Sequence, residues 1–176
     1  MSELGRPALR DIRVVNRTPV TVVLENIRSG LNIGSVFRTA DAFNIERILM
    51  AGFSVVPPHK EILKTALDAT ESVPWARVDD LAPFLSHLKE KGHHIAAVEQ
   101  VHGSIPLSQF DFTGKQPLVL VFGNEVSGVS DEVLGLCDSA IEIPQSGIKH
   151  SLNIAVCAGI VLWEAFCQLN SLNDRL

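Results

Sequence analysis

The chain has 176 residues, 46% of them apolar, and a formal net charge of −5. This length suits one well-buried domain and is short for two, and a mean hydropathy of +0.22 marks a globular protein. The longest apolar run, Ile154 to Trp163, is too short to span a bilayer and ends at Glu164. The opening MSELGRPALRD lacks the apolar core of a signal peptide. Cys137, Cys157 and Cys167 form no C-x-x-C pair, so reduced thiols packed as small hydrophobes and a cytoplasmic location are expected.

In chain order, residues 1–19 read as a short helical or irregular arm closed by Pro19, and Val20 to Glu25 as a buried β-branched strand. NIRSGLNIGS reads as a polar, glycine-bearing loop, followed by a helix over Val36 to Phe43 and a strand over Glu46 to Met50. A loop with Pro57 and Pro58 leads into a helix near Glu61 to Leu67. Asp80 to Lys91 places Leu81, Phe84, Leu85 and Leu88 on one helical face, and Gly92 stops it. Ile95 to Val98 and Pro117 to Phe122 read as strands, the second apolar enough to be central. A helix over Asp131 to Leu136 follows. The last unit is a strand over Ala140 to Ile143, a loop in which Gly147 is free to take a positive φ and Lys149 and His150 add donors, then a helix with Ser151 as its N-cap. Apolar strands alternating with helices predict an α/β fold, a mostly parallel sheet with helices on both faces.

Three loops leave the carboxyl ends of apolar strands, where open α/β sheets bind ligands. They carry Asn26, Arg28, Asn32, Gly34 and Arg38; Gly123, Asn124, Glu125 and Gly128; and Gly147, Ser151 and Asn153. Singly these are ordinary turn residues; on three strands they suggest one composite site. Charge is uneven as well: residues 1–64 carry nine Lys and Arg against six Asp and Glu. Arg6, Arg10, Arg13, Arg17, Arg28, Arg38 and Arg47 gather there, either as a solvated basic end or as a patch for phosphate. His93-His94 lacks a third metal ligand at sensible spacing and reads as solvent-facing, so no metal is expected.

The segments N-x-R-x-x-x-N-x-G-S-x-x-R-T-A (Asn26 to Ala40), F-G-N-E-x-x-G (Phe122 to Gly128) and I-P-x-x-G-x-x-x-S-L-N (Ile143 to Asn153) resemble the three motifs of SpoU/TrmH-type RNA 2′-O-ribose methyltransferases of the SPOUT superfamily. The resemblance covers nearly everything after residue 19, as a single domain over 1–176. It implies S-adenosylmethionine as methyl donor, a ribose 2′-hydroxyl in structured RNA as acceptor (tRNA slightly ahead of rRNA), a homodimer with its site near the subunit interface, and a C-terminal deep trefoil knot. Arg38 is implied to engage the hydroxyl, Glu125 to fix Asn32 and the motif loops, and Ser151 and Asn153 to hold the loop and the opposed subunit's arginine. Gly123, Asn124, Ile143, Gly147 and Leu152 are implied to bind the cofactor. The chain has Ser29-Gly30 where the family often has Asn-Pro. Two other readings stand beside this one: a nucleotide-binding oxidoreductase, weakened because no G-x-G-x-x-G follows the first strand, and a catalytically silent RNA-binding module.

Overall fold

In the computed structural model, which describes residues 17–148 and 151–170, seven strands make one sheet. They are β1 Thr18–Glu25, β2 Ile45–Ala51, β3 Trp75–Val78, β4 His94–Val98, β5 Ile105–Pro106, β6 Leu118–Phe122 and β7 Ser139–Glu142. The order is β3-β2-β1-β6-β4-β7-β5, and every pairing is parallel. β6 lies in the middle with all five residues buried, as its apolar composition predicts. The helices are α1 Gly30–Ala42, α2 Lys60–Ala66, α3 Ala69–Ser72, α4 Leu81–Glu90, α5 Asp131–Leu134 and α6 Ile154–Leu169.

Alternation along each strand divides the core in two. Val20, Val22, Leu24, Leu118 and Leu120 pack with Ile33 and Phe37 of α1, Ile62 of α2 and Val161 of α6. Val23, Val119 and Val121 pack on the other face with Leu81, Leu85 and Leu88 of α4 and Val133 of α5. Burying each such side chain contributes about 1.5–3 kcal/mol, and only strands apolar on both faces supply two such layers.

The structure departs from the sequence reading in definite places. The segment taken as a loop up to Ser35 is already helix from Gly30, because Ser29 caps α1 by accepting the Asn32 amide at 3.2 Å. Gly34 is a packing residue: a Cβ there would collide with Thr65 and the Ile62 carbonyl of α2. β3 and β5 were not foreseen; both are short edge strands, and their exposure leaves little apolar signal. Arg17 is tied to the carbonyls of Ile45 and Ser72, and Arg47 to Thr21 and Glu46, so these two arginines brace the frame. Arg6, Arg10, Arg13, Lys149 and His150 lie outside the described residues. His94 is half-buried, its Nε2 2.9 Å from the Ser139 hydroxyl, and His93 Nδ1 meets the Leu88 carbonyl, so the pair does not simply face solvent. Among the described residues no helix is long and apolar enough to cross a membrane.

Candidate active site

The carboxyl ends of β4, β6 and β7 open into a cavity of about 440 Å³. Val98, Phe122, Ile141, Ile154 and Leu152 supply apolar wall, while Glu99, Asn124, Glu142 and Gln145 supply polar groups. Of the residues expected to bind cofactor, Gly123, Asn124, Ile143 and Leu152 line this cavity. Gly147 does not: it is exposed, its φ is not positive, and a Cβ there would meet nothing within 4 Å.

The loop after β6 owes its shape to its own hydrogen bonds. Asn124 Oδ1 accepts the amides of Val126 and Ser127, both at 2.9 Å, and Asn124 Nδ2 donates to the Ser127 hydroxyl. Gly123 is obligatory here for a reason internal to the protein. A Cβ would run into the backbone of Gly128 and Val129, so the space left by the missing side chain is filled by the returning loop.

Glu125 sits on this loop and joins all three motif segments. One carboxylate oxygen accepts Asn32 Nδ2 at 3.0 Å and, at a longer 3.4 Å, the amide of Ile154. Asn32 Oδ1 in turn accepts Asn153 Nδ2 at 3.1 Å. The hydrogen bond expected between Glu125 and Asn32 is therefore present. The N-cap expected at Ser151 falls instead on Asn153, whose Oδ1 accepts the Ala155 amide at 2.9 Å and that of Val156 at 3.4 Å. Both residue types cap well; beside its capping oxygen Asn153 has an amide donor for Asn32, and Ser151 is left lining the cavity.

Arg38 stands apart. It is exposed on α1, in a shallow groove with Ser35, Thr39, Lys64 and Thr65, and does not line the cavity of its own chain. Asp41, three residues further along α1 and so within reach of an ion pair with Arg38, accepts the Ser72 hydroxyl instead.

Two carboxylates escaped the sequence reading. Glu25, at the end of β1, accepts the amide of Ser130 at 3.0 Å and its hydroxyl at 2.6 Å. Glu99, just past β4, accepts the amides of Val129 and Gln100. Both hold the segment leading into α5; Glu25 closes an apolar strand and Glu99 directly follows one, which is the signal that marks them. Burial, helped by the nearby Glu99 charge, pushes the Cys157 thiol on the cavity wall up to about 11. Among the described residues no group of three or more His, Cys, Asp or Glu is placed to hold a metal ion.

The family model for the SpoU rRNA Methylase family matches residues 19–163. The chain belongs to that family. Among curated SpoU relatives, the 23S rRNA (guanosine-2′-O-)-methyltransferase RlmB of Vibrio vulnificus is 33% identical over 94% of this chain and 66% of its own. This chain spans 61% to 66% of the length of the first such relatives. In the SpoU fold, the A. aeolicus TrmH/SpoU tRNA modifying enzyme superposes with a TM-score of 0.81 at 27% identity, over 95% of this chain and 82% of that one. The SpoU methyltransferase AviRb of Streptomyces viridochromogenes, solved in complex with the cofactor AdoMet, gives 0.77 at 29% identity over 88% and 62%.

Proposed function

We propose that this SpoU-family chain transfers a methyl group from S-adenosylmethionine to a ribose 2′-hydroxyl of a structured RNA. The observation that carries the reading is the junction of the three motif segments at Asn32, Glu125 and Asn153, beside a cavity at the carboxyl ends of the strands. The names of the relatives span rRNA and tRNA, so the reading stops at structured RNA.

The residues present suit the cofactor. The volume falls in the range of small-molecule sites, about 300–1,000 Å³. Ile143 and Leu152 give apolar surface for an adenine, and the carboxylates of Glu99 and Glu142 match a sulfonium and an amino group in charge. Gly123, Asn124, Ile143 and Leu152 would hold it. Bound there, the cofactor supplies an electrophilic methyl group. The chain's own part is orientation: Glu125 and Asn153 fix the loop, and Arg38 directs the hydroxyl. A guanidinium keeps its proton, so Arg38 stabilises developing oxyanion charge while an RNA phosphate takes the proton.

Arg38 lies outside the cavity of its own chain, and this supports a homodimer in which one protomer presents Arg38 to the cavity of the other. The outer face of α6 agrees with a partner there: Val156, Ile160 and Trp163 are 52%, 40% and 51% exposed on a helix whose opposite face is core. Light scattering at micromolar concentration should give twice the chain mass, and Ile160→Asp should halve it. For the reaction, tritium transfer from labelled S-adenosylmethionine to undermethylated total RNA, with mapping of ribose methylation, is the deciding experiment. No incorporation into any RNA would refute the reading.

A further inference from the structure

We propose that Phe53 and Arg28 form a stacking platform for an unpaired base of the RNA; this rests on the RNA-directed reading above. Phe53 follows β2 and is 50% exposed, and the Arg28 guanidinium carbon lies 4.7 Å from its ring centroid. A lone exposed aromatic is ordinary on a protein surface. This one is fixed in place from several directions. Its amide donates to Asn26 Oδ1 at 3.3 Å, and Asn26 itself turns through a left-handed φ of 61°. Next to it Ser54, 2% exposed, donates to the Leu24 carbonyl and accepts the Ile27 amide, both at 2.8 Å. Arg77 braces the other side through the Gly52 carbonyl at 3.0 Å. The ring therefore projects from a turn that hydrogen bonds lock to the ends of β1, β2 and β3.

The position relates it to the reaction centre. Arg28 immediately precedes Ser29, the cap of the helix that carries Asn32 and Arg38. A base laid on Phe53 would put its strand along the N-terminal end of α1. The pairing of aromatic face and guanidinium suits nucleic acid on both counts: every base stacks on an aromatic whatever its sequence, and the cation meets the backbone phosphate while strengthening the stack. A protein partner would use the ring differently, burying it with neighbouring apolar side chains.

The test is methylation of undermethylated total RNA by Phe53 and Arg28 variants. Phe53→Ala should raise the RNA concentration for half-maximal rate about tenfold, the loss expected when a stacked base is released from an aromatic side chain. Its rate at saturating RNA and its affinity for S-adenosylmethionine should match wild type. Phe53→Leu should fail as alanine does, Phe53→Trp should restore wild-type half-saturation, and Arg28→Ala should weaken RNA in the same sense. Phe53→Trp also gives a direct signal: a twelve-nucleotide oligoadenylate should quench its added fluorescence, whether or not that RNA is methylated. An unchanged half-saturation for Phe53→Ala, a shift of the chain from dimer to monomer in that variant, or an unquenched Phe53→Trp would each overturn the platform. Wild-type protein that labels no RNA would instead count against the methyltransferase reading.

Discussion

Asn32 donates its side-chain amide to Glu125 at 3.0 Å, although 93 residues separate them in the chain. With Asn153 donating to the Asn32 carbonyl, the three side chains form a one-way chain of hydrogen bonds that ends on a carboxylate. Asn153 has two tasks, capping α6 and holding Asn32, and substitution separates them. Asn153→Ser keeps a cap and loses the Asn32 bond; Asn153→Ala loses both. Urea unfolding should place serine about 1 kcal/mol below wild type and alanine about 1 kcal/mol below serine. In an Asn32→Ala background the step from asparagine to serine should shrink toward zero. A step of unchanged size would mean the amide contact contributes nothing.

Gly123 is held by steric need, since any Cβ strikes Gly128 and Val129. Gly123→Val should thus lower the midpoint of thermal unfolding together with cofactor affinity, as overpacking costs typically about 1–3 kcal/mol or more. Gly147→Ala, in open surroundings, should stay within about 0.5 kcal/mol of wild type by the same measurement.

Arg38→Ala should reduce single-turnover methylation about a hundredfold or more, the scale of losing one oriented charge stabiliser. Affinity for S-adenosylmethionine by calorimetry should hold, because the residues that would hold the cofactor, Gly123, Asn124, Ile143 and Leu152, come from the other two motif segments. Arg38→Lys should recover little, a point charge being a poor substitute for a planar fork. A lysine variant with near wild-type rate would reduce the role of Arg38 to net charge.

His94 predicts a pH dependence of folding. Burial lowers its pKa below 6.5, against an opposing pull from Asp138. The unfolded chain therefore takes up a proton more readily than the folded one, and stability falls as pH drops from about 6.5 toward the folded value. Above that window the neutral ring, beside Ser139 and Phe110, carries no penalty. Urea midpoints between pH 5 and 8 should show this slope, and His94→Gln should flatten it. An identical slope in the variant would assign it to other groups.

How much of this was legible in the sequence follows from what each residue faces. β1, β4 and β6 could be read because burial on both faces demands unbroken apolar runs, whereas β3 at the sheet edge presents exposed Trp75, Ala76 and Arg77 and looks like a loop. The start of α1 was hidden because Gly30 and Gly34 resemble turn residues until α2 is seen against them. In the site, Asn32, Glu125 and Asn153 stood out as polar groups at strand ends, and they do meet. The choice of Asn153 over Ser151 as cap was not legible, since it depends on Asn32 arriving from far away in the chain. Glu25 read only as the end of a strand and Glu99 drew no reading, because their partners Ser130 and Val129 become neighbours only when the sheet is assembled.

The central place of β6 bears on how the protein is born. Val20 pairs with Leu118, and His94 pairs with that same residue on its other side. β1 and β4 both leave the ribosome before the strand that separates them. For the time needed to add about a hundred residues, on the order of 5–20 s at ordinary rates of synthesis, the inner edge of β1 has no native partner. β6 then has to enter a slot between two strands already made, which places the joining of the sheet's halves late in synthesis and leaves an apolar edge open to chaperones until it happens.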